Sequence, residues 1–458
     1  MAFYFILALS AALAFGLIRW GRKSFYRLAI SSTRVLDIML GDQDEDEKLE
    51  ELQSHTGRLI LNLLAFIGLL IGAGAIILIS LNLHDIFIAL EEGEAPPELS
   101  SWQSILALSV GATLPFLIPF KKSPSGYSEL AMLLHRMVLN NYHLGLKLFR
   151  REVKSKGIEK RKDFLIISGL ARAGTTSFMN HLATLPQFQS LNYGNMPFLL
   201  SPHLWSRFYK PKAGQSRERS HKDGIQLGMN SNEALEEYFF KAISKDSYIK
   251  EHCLEEYRLS ADAHESYLDY QSIIRQSPDQ IYLAKNNNFL LRYRGLGEEN
   301  SQFQLVLLFR QPLFHAASLR SMHQRYCQMQ SEDAFVLEYM NWLGHHEFGL
   351  DQKPFLFEGG QLPEGDKSEL NYWLQIWIEY YRFALELEGP NIHFTPYEAF
   401  CAEPVDYLNR ALAAFQLKWE QEAPQAFVNQ RKVDLDYDES LYAKALEIYQ
   451  ALELKAQS

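Results

Sequence analysis

Cysteine is scarce in this chain of 458 residues. There are three, Cys253, Cys327 and Cys401, and they lie far apart. That spacing excludes a CxxC pair and a disulfide framework, and it fits isolated thiols in a reducing compartment. Positive charge is also short: 45 Lys and Arg stand against 55 Asp and Glu, a net charge of −10. Such a balance excludes a general nucleic-acid binder. Charge of either sign is missing from residues 2–18, 59–83 and 102–120. Lys and Arg are missing from residues 84–101. No internal repeat and no long low-complexity stretch interrupts the chain.

What remains is a foldable composition, 47% hydrophobic and 22% charged, which excludes a disordered protein. The length suits one large domain or two ordinary ones. A helix needs about 20 apolar residues to cross a bilayer. The three uncharged stretches therefore predict three transmembrane helices within residues 1–120. Pro115 and Pro119 are expected to kink the third. A cleaved signal peptide would carry positive charge ahead of its apolar run. Here "MAFYF" has none, and "RWGRKSFYR" follows instead, so the first stretch reads as a retained helix.

Lys and Arg set the expected orientation. Residues 19–58 hold Arg19, Arg22, Lys23, Arg27, Arg34, Lys48 and Arg58, and Lys121 and Lys122 follow the third stretch. The positive-inside rule puts the first loop and everything after residue 120 in the cytoplasm. Residues 121–162 hold eleven Lys or Arg against Glu129, Glu152 and Glu159. The helical spacing of Leu, Met and Val there predicts a basic amphipathic linker, lying on anionic lipid or packed on the next domain.

From residue 163 to 458 the pattern is that of an α/β domain. "FLIISG", "IYLAKN", "FQLVLLFRQP" and "IHFTPYEAF" are short apolar runs ending in polar residues. Helical stretches such as "NEALEEYFFKAI" and "YWLQIWIEYYRFALELE" alternate with them. This alternation predicts a mostly parallel sheet flanked by helices, with ligands at the carboxyl ends of its strands.

One such end is "ISGLARAGTTSF". Gly169 and Gly174 are spaced as in a phosphate-binding loop, and Thr175, Thr176 and Ser177 stand where a helix begins. Strand, glycine turn and helix start gather backbone N–H groups around an anion. Thr175 occupies the place where a nucleoside-triphosphate loop carries the Lys that reaches the β- and γ-phosphates. The cation is Arg172, ahead of Ala173 and Gly174. A second end, "LVLLFRQPLFHAASL", offers Arg310, Pro312 and Ser318.

"LARAGTTSFMNHL" resembles the 5′-phosphosulfate loop of sulfotransferases, P-K-S-G-T-T-x-L. Arg172 matches its Lys, and the Pro is missing. Arg310 with Ser318 eight residues on resembles that family's 3′-phosphate site. Lys285 with Asn286–Asn288 resembles its K-x-P/N segment, and Tyr397–Glu398 stand in a region similar to its closing strand and helix. The resemblance covers about residues 162–419. It implies a P-loop-like fold and 3′-phosphoadenosine 5′-phosphosulfate as donor, with no metal required. Arg172, Ala173, Gly174, Thr175, Thr176 and Ser177 would then serve the 5′-phosphosulfate, Arg310 and Ser318 the 3′-phosphate, and Lys285 would also bind the donor.

The proton acceptor stays open between His221, with Asp223 to orient it, and Glu233, Glu236 or Glu237; His203 is a further candidate. The pairs His345–His346 and Tyr380–Tyr381 read as helix residues. The acceptor substrate is expected to be a lipid or a glycan, approached from the inner, plasma membrane of a bacterium with the catalytic domain in the cytoplasm. The competing readings are a P-loop kinase or GTPase-like protein and a non-catalytic membrane scaffold.

Overall fold

The computed structural model describes residues 2–41, 43–90, 98–118, 127–210, 217–218, 226–227, 234–425 and 435–457. The chain divides into two compact units, Met1–Leu144 and Gly145–Ser458.

In the first unit the uncharged runs become helices. They are Ala2–Trp20, Glu45–Leu90 and Trp102–Leu117, joined by the helices Arg22–Leu40 and Glu129–Leu139. Two of these, over Phe3–Trp20 and Glu45–Asn82, are long and apolar enough to cross a membrane by length and composition. The second expected span is thus part of one 46-residue helix, about 69 Å long at 1.5 Å per residue. The third expected span ends early, as a helix of 16 residues. Ile118 is already extended there, as a residue ahead of proline tends to be. Gly111 lets this helix approach Ala2–Trp20 closely, because a Cβ at that position would run into Ala8 and Ala11. Arg22 makes a two-pronged ion pair with Glu129, both bonds at 2.6 Å.

The expected basic linker is two helices rather than one, Glu129–Leu139 and Tyr142–Lys156. The break falls at Asn140–Asn141, where Asn141 Nδ2 donates to the carbonyl of Met137 at 2.6 Å. A side chain that bonds the preceding turn in this way competes with helix propagation.

The second unit is a mixed α/β fold around a five-stranded parallel sheet. Its strands are β1 (Leu165–Ser168), β2 (Phe188–Gln189), β3 (Ile281–Lys285), β4 (Gln304–Phe309) and β5 (Ile392–Pro396), in the spatial order β2-β3-β1-β4-β5. The four apolar runs read as strands all form strands. β2, two residues long, is too short to leave a pattern in the sequence. Register is continuous through the centre: Ile167 pairs with Lys285 on one side and Val306 on the other. Every residue of β1 is buried, as expected for a central parallel strand covered on both faces.

Phe178, Met179 and Leu182, from the helix after β1, pack with Phe400, Leu408 and Leu412 against the sheet. The aromatic helix Leu370–Glu386 buries Trp373, Trp377, Tyr380 and Tyr381. Tyr381 donates to the carbonyl of Leu308 at 2.8 Å, which ties that helix to β4.

Candidate active site

The loop after β1 uses backbone that most residues avoid. Gly169 has φ 141° and Gly174 φ 97°. A Cβ on Gly169 would collide with the carbonyl oxygen of Leu308, and one on Gly174 with the ring of Tyr397. Both positions require glycine for its conformation and for its size. Arg172 stands at φ 74° without being glycine, a strain of the kind found at ligand clamps. Ala173 N–H closes the turn on Leu170 O at 3.0 Å. The helix Thr175–Leu182 follows at once. Its free N–H groups therefore gather with the hydroxyls of Thr175, Thr176 and Ser177 at one helix end.

Side chains from the adjacent strands converge on this loop. Lys285 ends β3, and its Nζ donates to Thr176 Oγ1 at 2.9 Å. Arg310 directly follows β4, and Ser318 lies on the next helix, Pro312–Glu332. Arg172 Nε donates to Ser318 Oγ at 3.3 Å, so the loop cation and the serine from the second motif meet. Arg310 lies over the Tyr397 ring, 5.2 Å from its centroid, with Nε 3.8 Å from Glu398 Oε1. Its side chain is 15% exposed. Nε is buried with no hydrogen-bond partner among the described residues. Burial pulls the guanidinium pKa down, while Tyr397 and Glu398 act against that shift.

His315, three residues before Ser318, is fully buried, and its Nε2 lies 2.8 Å from the carbonyl of Ala171. A carbonyl only accepts, so this nitrogen carries the hydrogen. Burial pushes the imidazole down to about 3; the bond to Ala171 opposes this, and the charges of Arg310 and Arg172 add to it. At neutral pH His315 is therefore an uncharged strut beneath the loop. Nothing in its local sequence marks it, since a single histidine on a helix is ordinary.

Of the candidate proton acceptors, Glu236, Glu237 and His203 lie among the described residues. His221 and Glu233 lie outside the described residues, as does Asp223. Glu236 is 2% exposed and both its oxygens are engaged. Oε2 accepts from Tyr267 at 2.6 Å and Tyr282 at 2.8 Å, and Oε1 accepts from Asn286 at 2.9 Å. Burial raises its pKa against these donors. Glu237 pairs with Arg292 through two bonds of 2.6 and 2.7 Å, with both side chains buried. His203 lies on the short helix Pro202–Ser206, whose first N–H groups are capped by Glu152.

His345 and His346 are not in a helix: they follow Ala334–Trp342 in a loop. Gly344, at φ 68°, turns the chain out of that helix. Tyr380 and Tyr381 are helical and buried in the core. Among the described residues, no group of three or more His, Cys, Asp or Glu is arranged to hold a metal ion.

Similar solved structures are sulfotransferases. One, from Alicyclobacillus acidocaldarius, aligns over 66% of this chain and 97% of its own at 12% identity, with a TM-score of 0.34. Another, from Mycobacterium avium, aligns over 77% of this chain and 83% of its own at 13% identity, with a TM-score of 0.36. A third, from Mycobacterium tuberculosis H37Rv, aligns over 73% and 88% at 10% identity, with a TM-score of 0.37. No family model and no curated protein matches the sequence.

Proposed function

We propose that the second unit transfers a sulfuryl group from 3′-phosphoadenosine 5′-phosphosulfate to a hydroxyl or amine. One observation carries this reading. Arg172, Lys285 with Thr176, Arg310 and Ser318 come from separate segments and converge at the carboxyl ends of three adjacent parallel strands. That is where an open parallel sheet holds its ligands. Two cationic positions on either side of the glycine loop suit a nucleotide with two separate phosphate groups.

In this reading the loop N–H groups, Thr175–Ser177 and Lys285 surround the 5′-phosphosulfate. Fixed donors at that position neutralise the charge that develops on the leaving phosphate oxygen. Arg310 and Ser318 take the 3′-phosphate. Arg172 joins the two halves through Ser318. The acceptor oxygen forms a bond to sulfur as the sulfur–oxygen bond to the nucleotide breaks, and 3′,5′-diphosphoadenosine leaves. Positioning and electrostatics do most of the work, and one proton must be removed from the acceptor.

Titration calorimetry with 3′,5′-diphosphoadenosine and, separately, with ATP and Mg²⁺ tests the proposal. Tighter binding of the diphosphoadenosine is expected. Preference for ATP with Mg²⁺ overturns it.

We further propose that the apolar helices of the first unit anchor the chain in a bilayer, the plasma membrane of a bacterium, with the second unit in the cytoplasm and a lipid or glycan as acceptor. The two long apolar helices and the Lys/Arg bias support this. Release of the protein from membranes by alkaline carbonate refutes the anchor.

A further inference from the structure

We propose that His345, held by Glu347, is the group that takes the acceptor's proton; this rests on the sulfuryl-transfer reading above. His345 Nδ1 lies 3.4 Å from Glu347 Oε1. A carboxylate can only accept, so Nδ1 carries the hydrogen and Nε2 keeps its lone pair. The imidazole is 21% exposed and the carboxylate 8%. One ring edge is thus held inside while the ring keeps access to solvent. A separation of 3.4 Å is long, but hydrogen bonds of this kind are often loose before the substrate complex forms.

The loop that carries the pair is fastened to the end of β3. Asn287 Nδ2 donates to the same Oε1 of Glu347 at 3.0 Å, and Asn288 Nδ2 donates to the carbonyl of Gly344 at 2.9 Å. Asn287 stands two residues after Lys285, the residue that bonds Thr176. Tyr380 braces the same corner, with its hydroxyl 3.3 Å from Asn287 O and 3.5 Å from Ser168 Oγ at the base of the phosphate loop. Asn287 Oδ1 is buried and without a partner among the described residues, an open hydrogen-bond acceptor beside the pair.

Strand order decides the side. β4 carries Arg310 and leads to Ser318; β3 carries Lys285; β1 and its loop lie between them. A donor whose 3′-phosphate lies over β4 directs its 5′-phosphosulfate towards Lys285. The acceptor then arrives from the β3 side, where His345 stands. As the acceptor oxygen bonds to sulfur, its proton passes to Nε2. Glu347 stabilises the imidazolium that results. Burial alone would raise the Glu347 pKa, but the hydrogen bonds from His345 and Asn287, and the charge on His345 once it is protonated, hold it below the ordinary carboxylate value.

The test follows release of 3′,5′-diphosphoadenosine from the phosphosulfate donor, with ethanol or water as acceptor. His345→Ala should lower turnover by about 100-fold or more, keep wild-type affinity for 3′,5′-diphosphoadenosine, and recover activity with added imidazole. Glu347→Gln, which retains an acceptor for Asn287, should lower kcat without a matching change in that affinity. Wild-type turnover in His345→Ala, or a loss that imidazole does not rescue, overturns this inference and leaves the transfer reading standing. A wild-type chain that binds no diphosphoadenosine, or releases none, overturns both.

Discussion

Replacing Arg310 with alanine separates the two anion positions. The guanidinium already sits in a confined place, 15% exposed, over Tyr397 and within ion-pair distance of Glu398. Part of its dehydration is therefore met on folding, before a ligand arrives. A phosphate oxygen set against this guanidinium gains a charge-assisted hydrogen bond. A hydrogen bond to a charged group contributes about 1.5–3 kcal/mol. At about 1.4 kcal/mol per decade, that is roughly 10- to 150-fold in affinity. Titration calorimetry should find that loss for 3′,5′-diphosphoadenosine and almost none for adenosine 5′-monophosphate, which lacks the 3′-phosphate. Arg310→Lys should recover only part of it, because an ammonium does not reproduce the planar fork. Equal losses for the two nucleotides would refute the assignment: Arg310 would then support the whole loop rather than read one phosphate.

Arg172→Gly tests the loop from the other direction. Relief of the positive φ is worth about 1–2 kcal/mol and the added chain entropy costs about 0.5–1 kcal/mol; urea unfolding should thus move by about 1.5 kcal/mol or less while nucleotide affinity falls about tenfold or more. Gly169→Ala should cost at least about 1–3 kcal/mol from the φ of 141° alone, with more from the clash at Leu308. A denaturation midpoint unchanged from wild type would contradict that backbone. Glu237→Gln leaves the buried Arg292 guanidinium without its counter-charge, and about 3–5 kcal/mol of stability should go with it. Burial alone would raise the Glu237 pKa, but Arg292 outweighs it and holds the folded value below the ordinary 4.5. Its stabilisation is therefore full above about pH 4.5 and fades as pH falls through the folded value. The gap between wild type and Glu237→Gln in guanidinium unfolding should narrow only on that acid side, and a gap that narrows towards alkaline pH would show that Arg292 is not the partner.

The sequence by itself determined the elements whose signals are local. Charge-free runs specify apolar helices, because burying an unpaired charge is costly. Short apolar runs ending in polar residues gave β1, β3, β4 and β5, because a central parallel strand is buried on both faces. The glycine spacing and the Thr-Thr-Ser helix start marked the loop, since only glycine adopts its positive φ values without strain. Other local readings missed. The third apolar run ends short ahead of Pro119, and the linker breaks at an asparagine pair that a hydrophobic pattern does not register.

Tertiary structure alone decided the rest. Lys285 meets Thr176 and Arg172 meets Ser318 across more than a hundred residues, and only strand order brings them together. Glu236 and Glu237 look in sequence like an ordinary acidic helix start. Three donors on the first and a guanidinium on the second set their places, and those partners lie on other elements. His345 reads in the sequence as a helix residue; the structure puts it in a loop that the hydrogen bonds of Asn287 and Asn288 fasten to the end of β3. A side chain's chemistry is written in the sequence, but its neighbours depend on how the sheet orders its strands.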